Sequence, residues 1–240
     1  MKSFAGRRAV VTGASSGIGR RIALDLAAAG ATVTGIARRP CDGVASVACD
    51  VSDVVAYERA LAELEPVDVL VQAAGTEERV SALDGDLEVY RHTFEVNVFA
   101  AMAGTLAVLP GMVDRGWGVV VNVSSDSGRA PTAGTPAYAA SKAALSAFSE
   151  SVAHEVRPRG VHVHVLYPGW MPTGMGQRAV DQGMSMPPRA VRRTAEQVSR
   201  LTLERMGGPA IDINAARLAV MAPVVRSLSP RIYRRMVGSR

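Results

Sequence analysis

Tyr138 and Lys142 stand four residues apart in the run Tyr138-Ala139-Ala140-Ser141-Lys142. On a helix this spacing puts both side chains on one face, one turn apart. An ammonium beside a phenol favours the phenolate and lowers the phenol pKa. A tyrosine tuned in this way can give or take a proton near neutral pH. Lysine is scarce in this chain, with 25 arginines against Lys2 and Lys142 alone. A position kept as lysine asks for a compact ammonium with swivelling donors, which guanidinium cannot supply. The spacing alone equally fits an exposed helical pair, so the surrounding chain has to decide.

The elements that would hold this pair alternate. Short apolar runs at Ala9–Thr12, Thr32–Ala37, Val44–Ala48, Val67–Gln72, Val119–Ser124 and Val161–Tyr167 predict strands. Helical patterns lie between them at Ile18–Ala29, Val54–Leu64, Leu87–Asn97 continuing to about Leu109, and Tyr138–Val156. Strand and helix in alternation predict an α/β fold, a doubly wound parallel sheet with helices on both faces. Ligands then gather at the carboxyl ends of the strands.

The first strand runs straight into Thr12-Gly13-Ala14-Ser15-Ser16-Gly17-Ile18-Gly19 and a helix. Gly13 permits the tight turn, Gly17 leaves room for a pyrophosphate and Gly19 allows close helix packing. The helix N-terminus faces the phosphates with free N–H groups. The second strand ends at Ala37-Arg38-Arg39. NAD-binding chains place a carboxylate there, whereas arginine grips a 2′-phosphate. NADP(H) is therefore expected, with Arg38 on the phosphate and Ser15 assisting; NAD(H) is the alternative if the arginines merely cover surface.

Asp50 either accepts from the adenine amino group or caps the helix that begins near Val54, although Ser52 and Asp53 are better placed as the cap. Gln72-Ala73-Ala74-Gly75 closes the fourth strand with small residues on which an adenosine can lie. Asn97 is one of three asparagines and stands in an apolar helix. It must hydrogen-bond there, either to a backbone carbonyl or to a held water. Ser125 ends the Val119-Val120-Val121-Asn122-Val123-Ser124-Ser125 strand, thirteen residues before Tyr138, with loop enough for both hydroxyls to reach one carbonyl oxygen. Serine at a strand end can also simply form a turn.

Taken together, Thr12–Gly19, Asp50, Asn97, Ser125, Tyr138 with Lys142, and Pro168-Gly169 followed by Thr173 resemble the short-chain dehydrogenase/reductase family over roughly residues 5 to 200. The resemblance implies that Tyr138 is the general acid or base and that Ser125 holds the substrate oxygen. Lys142 would bind the nicotinamide ribose, and Asn97 would keep a water for proton return. It further implies a cofactor cradle of Gly13, Ser15, Ser16, Gly17, Ile18, Gly19, Arg38, Arg39, Asp50, Val51, Ala73, Ala74 and Gly75. Pro168, Gly169 and Thr173 would lie against the nicotinamide, with the Met171 backbone on its carboxamide. The cofactor brings the hydride, and the protein brings position and a proton.

Two departures from that family are visible. Gln72-Ala73 replaces its paired asparagines, and Gly207-Gly208-Pro209 leads into a helical Ala215–Val225 rather than a final strand. The tetramer and the fatty-acid-synthesis role tied to that strand are not expected. A dimer through the helices around Val96–Leu109 and Tyr138–Val156 is. Residues 174–200 fall where the family carries a substrate lid. Met175, Met184 and Met186, with Trp170 and Met171 before them, suit an apolar substrate, and also suit packing on one another.

With 240 residues, 48% of them hydrophobic, the chain predicts one domain with a sizeable core. Cys41 and Cys49 are too few for a disulfide framework, and Met1–Arg8 lacks a signal-peptide pattern, so a cytoplasmic protein is expected. Val96–Val113 is free of charge but carries Asn97, Thr105 and Pro110, which fits a buried helix better than a membrane span. His162 and His164 share a strand face without a third ligand, so no metal is expected. After Asp212 there are six arginines and no acid. That tail could touch a membrane surface or a carrier protein, or simply be solvated; no nucleic acid is expected. The reading is a reductase of a ketone or aldehyde, or the reverse. The alternatives are an NAD-linked alcohol or hydroxysteroid-type dehydrogenase and a cofactor-sensing regulatory protein.

Overall fold

The computed structural model describes residues 3–216 and 221–238. Seven parallel strands form one sheet in the order β3-β2-β1-β4-β5-β6-β7. They are β1 Arg8–Thr12, β2 Thr32–Ala37, β3 Ala45–Ala48, β4 Val69–Gln72, β5 Gly118–Val123, β6 Val161–Tyr167 and β7 Asp212–Asn214. The direction of winding reverses between β1 and β4, which pair Ala9 with Val69 and Thr12 with Gln72. The crevice beyond that switch point is where doubly wound sheets bind ligands.

Alternation along β1 serves two cores. Ala9 and Val11 face one layer, with Ile22 and Leu26 of α1 (Gly17–Ala28) and Val198 and Leu203 of α8 (Ala195–Arg205). Val10 faces the other, with Tyr57 and Leu61 of α2 (Val54–Leu64), Met112 of α4 (Ala100–Asp114) and Val152 of α6 (Pro136–Val156). Successive strand side chains point to opposite faces, so a run of valines fills both layers. Asp53 caps α2, its Oδ1 accepting from the Ala56 N–H at 3.0 Å.

The long helix differs from its expected form in two ways. It begins as α3 (Leu87–Phe94), passes through a π turn at Glu95–Phe99 and continues as α4 through Pro110 to Asp114, not stopping near Leu109. Leu109 and Met112 are buried on either side of the proline, and that packing offsets its missing N–H. Leu87–Asp114 is apolar and long enough to cross a membrane by length and composition, yet Val98, Ala100, Thr105, Val108 and Met112 sit within the protein core.

A seventh strand is present where none was expected. Asp212–Asn214 pairs with Val165–Tyr167 of β6. Aspartate and asparagine are poor strand formers, so its three residues carry no strand signal. It is held by buried Ile213 and by Arg129, which bonds Asp212 and, at 2.6 Å, Asn214. Beyond it Ala215 and Ala216 are buried but not helical; residues 217–220 of the expected helix lie outside the described residues, and Met221–Leu228 is helical, as α9, followed by α10 (Pro230–Gly238). Arg217 and Arg240 of the basic tail lie outside the described residues.

Candidate active site

The turn after β1 is built to admit a flat, charged ligand. Gly13 and Gly17 have φ of 68° and 55°, backbone that side-chain-bearing residues rarely adopt. A Cβ on Gly13 would lie 2.8 Å from the Ala74 amide, and one on Gly19 would strike the Gly13 carbonyl at 2.5 Å. The turn is thus seated on Ala73-Ala74 at the end of β4, where the Ala74 N–H also donates to Thr12 Oγ1. Ser16 is the extended N-cap of α1, and its side chain makes no capping bond, so the first turn presents its N–H groups uncapped. Thr173 closes the opposite side within 3.7 Å of where a Gly17 Cβ would stand. Ser15 and Ile18 flank this cradle. A dinucleotide pyrophosphate fits it in shape and charge.

At the ends of β2 and β3, Arg38 is largely exposed and stands 3.7 Å from Asp50. Asp50 also accepts from the Ser52 backbone N–H and hydroxyl, and these bonds hold its carboxyl below the usual range although burial works the other way. Arg39 is exposed and Val51 buried.

The chemical centre lies on α6 and the end of β5. Tyr138, Ser141 and Lys142 are all buried, and Ser125 caps α5 (Asp126–Arg129). Ser125 stands near enough to the Tyr138 phenol to oppose its upward shift. Lys142 Nζ donates to the Val123 carbonyl at 2.8 Å and sits 5.7 Å from the centre of the Tyr138 ring. The spacing therefore gives the expected pair, but the electrostatics reverse one expectation. Burial pushes the phenol above its ordinary range, with the Glu77 and Asp126 carboxylates adding to it and the Ser125 hydroxyl opposing. Burial likewise lowers Lys142 to about 8, against a smaller upward pull from Glu77. Desolvation outweighs the attraction that the spacing alone suggests, and the protonated phenol is the form that can act as an acid.

Of the two roles open to Asn97, the structure shows the backbone clamp. Its Nδ2 donates to the Thr76 carbonyl at 2.9 Å, its Oδ1 accepts from the Thr76 N–H at 2.9 Å, and Nδ2 also reaches Ser141 Oγ. The π turn turns the amide toward Gly75, where an added Cβ would crowd Asn97 Oδ1 at 3.1 Å and Lys142 Nζ at 3.6 Å.

The replacement of paired asparagines by Gln72-Ala73 has a structural answer. Gln72 Nε2 donates to Thr105 Oγ1 at 2.9 Å and Asn122 Oδ1 at 3.2 Å, while Gln72 Oε1 accepts from the Tyr57 hydroxyl at 3.0 Å. Asn122 continues to Ser149 Oγ at 2.9 Å. The longer amide thus ties β4 to α2, α4, β5 and α6 from one buried position.

Residues 174–200 divide in the structure. Gly174–Asp181 forms α7, a short turn follows at Arg189–Val191, and Ala195 opens α8 with a Thr194–Gln197 capping box. Residues 195–200 belong to the packed α8, where Ser199 donates to Asp25 at 2.6 Å. Pro168-Gly169 leads into the stretch, Gly169 with φ of 74° and close to the Asp126 carboxylate. Met171 packs on the core, and Met175 and Met184 are half-buried.

Three charged residues, Glu77, Arg79 and Asp126, carry no signal in the sequence and are brought to the site by the fold. Glu77 and Arg79, on the loop after β4, pair at 3.5 Å with their side chains mostly covered. Asp126 is raised by burial to about 6 despite Arg129 beside it, and Arg178 of α7 is within electrostatic reach of Glu77. None belongs to a spacing pattern, and only the tertiary structure gathers them around Tyr138. Among the described residues no set of three His, Cys, Asp or Glu side chains gathers for a metal. His162 and His164 instead tether β6 through Gly208 and Ala210 carbonyls at 3.2 and 2.8 Å.

Comparison with known proteins agrees with this geometry. The chain belongs to the short-chain dehydrogenase family, whose model matches residues 7–183. L-xylulose reductase of Bos taurus is 38% identical, over 73% of this chain and 76% of its own length. Dehydrogenase/reductase SDR family member 7B of Danio rerio is 33% identical over 96% of this chain and 84% of its own. A short-chain dehydrogenase from Streptomyces avermitilis superposes with a TM-score of 0.82 and 31% identity, covering 100% of this chain and 98% of that one. One from Burkholderia cenocepacia, described in complex with NADP, superposes at 0.84 over 98% and 99% of the two chains. Its 24% identity carries the fold alone.

Proposed function

We propose that the protein is an NADP(H)-dependent oxidoreductase that reduces a ketone or aldehyde to an alcohol, or runs the reverse. The observation that carries the reading is buried Tyr138 with Lys142 one turn away on α6, Nζ 5.7 Å from the ring centre, and Ser125 beside them at the end of β5. When bound, the nicotinamide supplies the hydride. The Tyr138 hydroxyl releases its proton to the substrate oxygen as the carbonyl carbon is reduced, and Ser125 orients that oxygen beside it. Asn97 and Lys142 fix the loop after β4 and the end of β5 around the phenol. Half-buried Met175 and Met184 supply adaptable thioether surface to an apolar substrate body.

Arg38 supports NADP(H) over NAD(H), because its exposed guanidinium at the end of β2 is free to grip a 2′-phosphate and no carboxylate ends β2. Fluorescence titration with NADPH and NADH tests this on wild type and Arg38→Ala. Tight NADPH binding that collapses in the variant is the expected result. Equal affinities would overturn the Arg38 assignment and favour NAD-linked alcohol oxidation; binding of neither would favour the regulatory reading.

The free thiols Cys41 and Cys49 support a cytoplasmic site of action. A homodimer through α4 and α6 is supported by Phe99 and Leu106, large apolar side chains left exposed two turns apart on the long helix. The tail offers a second surface, which we assign to an anionic membrane. Met221, Val224, Leu228 and Ile232 are exposed beside Arg231, Arg234 and Arg235. A second copy would set these arginines against themselves, whereas anionic headgroups neutralise them.

A further inference from the structure

Glu77 is a mostly buried carboxylate that the reaction as written does not use. Its place is fixed from both sides. Upstream, a Cβ on Gly75 would lie 3.1 Å from Asn97 Oδ1 and 3.6 Å from Lys142 Nζ, and both backbone groups of Thr76 are clamped by Asn97. Downstream, Arg79 pairs with Glu77 at 3.5 Å, and its other guanidinium nitrogen lies 3.2 Å from where a Gly134 Cβ would stand, on the loop that leads into α6. The carboxylate is therefore held between the loop before Tyr138 and the lysine one turn after it. The charged and titratable groups that face it are Arg79 from its own loop, Arg178 from α7, and Lys142 and Tyr138 from α6.

We propose that Glu77 is a positioning residue for the Tyr138–Lys142 pair: its negative charge keeps the lysine protonated and the phenol un-ionised, biasing the site toward carbonyl reduction. A negative charge in a water-poor site acts on both groups in the same sense, favouring the proton-bearing form of each. The electrostatics agree in direction, since Glu77 opposes the fall in Lys142 and adds to the rise in Tyr138. Burial raises the Glu77 carboxyl above its ordinary range, and Arg79, Arg178 and Lys142 work against that rise and favour the charged form. This rests on the proposed function only for the direction of the bias, not for the coupling.

The scarcity of lysine makes the coupling directly readable. With Lys2 and Lys142 the only lysines in the chain, 13Cε-lysine labelling gives two NMR signals, and Lys142→Met identifies the second. Titration of the cofactor-free protein should place Lys142 at lower pH in Glu77→Gln than in wild type, with Glu77→Asp close to wild type. In the reaction, Glu77→Gln should lose reductive kcat at a lower pH and gain oxidative kcat at a lower pH. An unmoved Lys142 signal in both variants overturns the proposal. So does a Lys142 signal that moves while neither pH profile does. If no carbonyl compound is reduced at all, the titration still reads the coupling, so failure of the proposed function is distinct from failure of this one.

Discussion

Gln72 of β4 and Asn122 of β5 meet side chain to side chain, Nε2 to Oδ1 at 3.2 Å, in the middle of the sheet. Both are buried, and the same glutamine satisfies the hydroxyl of the fully buried Tyr57. Gly104 on α4 makes the space, since a Cβ there would lie 2.4 Å from the Tyr57 hydroxyl and 2.7 Å from Gln72 Oε1. The network is a structural substitute for the short amides that the family carries at the end of this strand.

Its disruption is therefore a stability experiment. Gln72→Leu strands the Tyr57 hydroxyl and the Asn122 carbonyl oxygen, and each orphaned buried group costs about 1–3 kcal/mol. Urea denaturation should show a loss of roughly 2–5 kcal/mol in all. Tyr57→Phe combined with Gln72→Leu should recover part of it, because the orphaned hydroxyl is gone. A loss below ~0.5 kcal/mol in the single variant would mean that the network contributes little.

Tyr138→Phe tests the proton step. The ring keeps its packing and only the hydroxyl is lost, so cofactor affinity should stay within about threefold while kcat falls by roughly 10²–10⁴. Lys142→Arg should not restore normal turnover. The buried site holds Nζ against the Val123 carbonyl at 2.8 Å, and a guanidinium is too large and too basic for that place. Steady-state kinetics beside NADPH titration separates the two effects.

The turn at Thr12–Gly19 and the pairing of Tyr138 with Lys142 are legible in the amino-acid sequence because they are local patterns, set by strand–turn–helix order and by the helical period. Six of the seven strands follow likewise from short apolar runs, most of them rich in valine. Other features are not local. The strand Asp212–Asn214 exists because Arg129 and the core hold it, and the helix passes Pro110 because packing outweighs propensity. Glu77 and Asp126 carry no spacing signal, and the sign of the Tyr138 shift depends on how completely the fold excludes water.

Stability against pH follows from two buried groups with opposite windows. Asp126 has its folded pKa raised from 3.8 to about 6 by burial. The folded state then binds the proton more readily, so stability falls as pH rises between about 4 and 6. Lys142 has its folded pKa lowered from 10.5 to about 8 by burial. Here the unfolded state binds more protons, and stability rises as pH climbs from 8 toward 10, by up to about 3 kcal/mol before the raised Tyr138 begins to reverse it. Asp126→Asn should flatten the acid window and Lys142→Met the alkaline one, each read as Tm across pH in the ligand-free protein. A wild-type Tm that does not rise between pH 8 and 10 would contradict the Lys142 assignment.

The tail links the proposed surface to the site itself. Arg226 donates to the Arg129 carbonyl at 2.8 Å, and the Tyr233 hydroxyl donates to the Pro131 carbonyl at 2.7 Å. Both acceptors lie on the segment between Ser125 and Tyr138, so α9 and α10 brace the loop that sets the distance between the two hydroxyls. Exposed apolar residues and Arg231, Arg234 and Arg235 are left free of that contact. Removing Pro230–Arg240 takes away those three exposed arginines, each worth about 1 kcal/mol at an anionic surface, together with Arg240 and exposed Ile232. Partition onto phosphatidylglycerol-containing vesicles should fall by about a hundredfold, with little binding of either form to pure phosphatidylcholine. Tyr233→Phe should leave vesicle binding intact and raise KM for the carbonyl substrate, since only the brace on Pro131 is lost. Equal vesicle binding by the full chain and the truncation would rule out the membrane role, and a truncation that instead changes oligomeric state would assign the surface to a second copy.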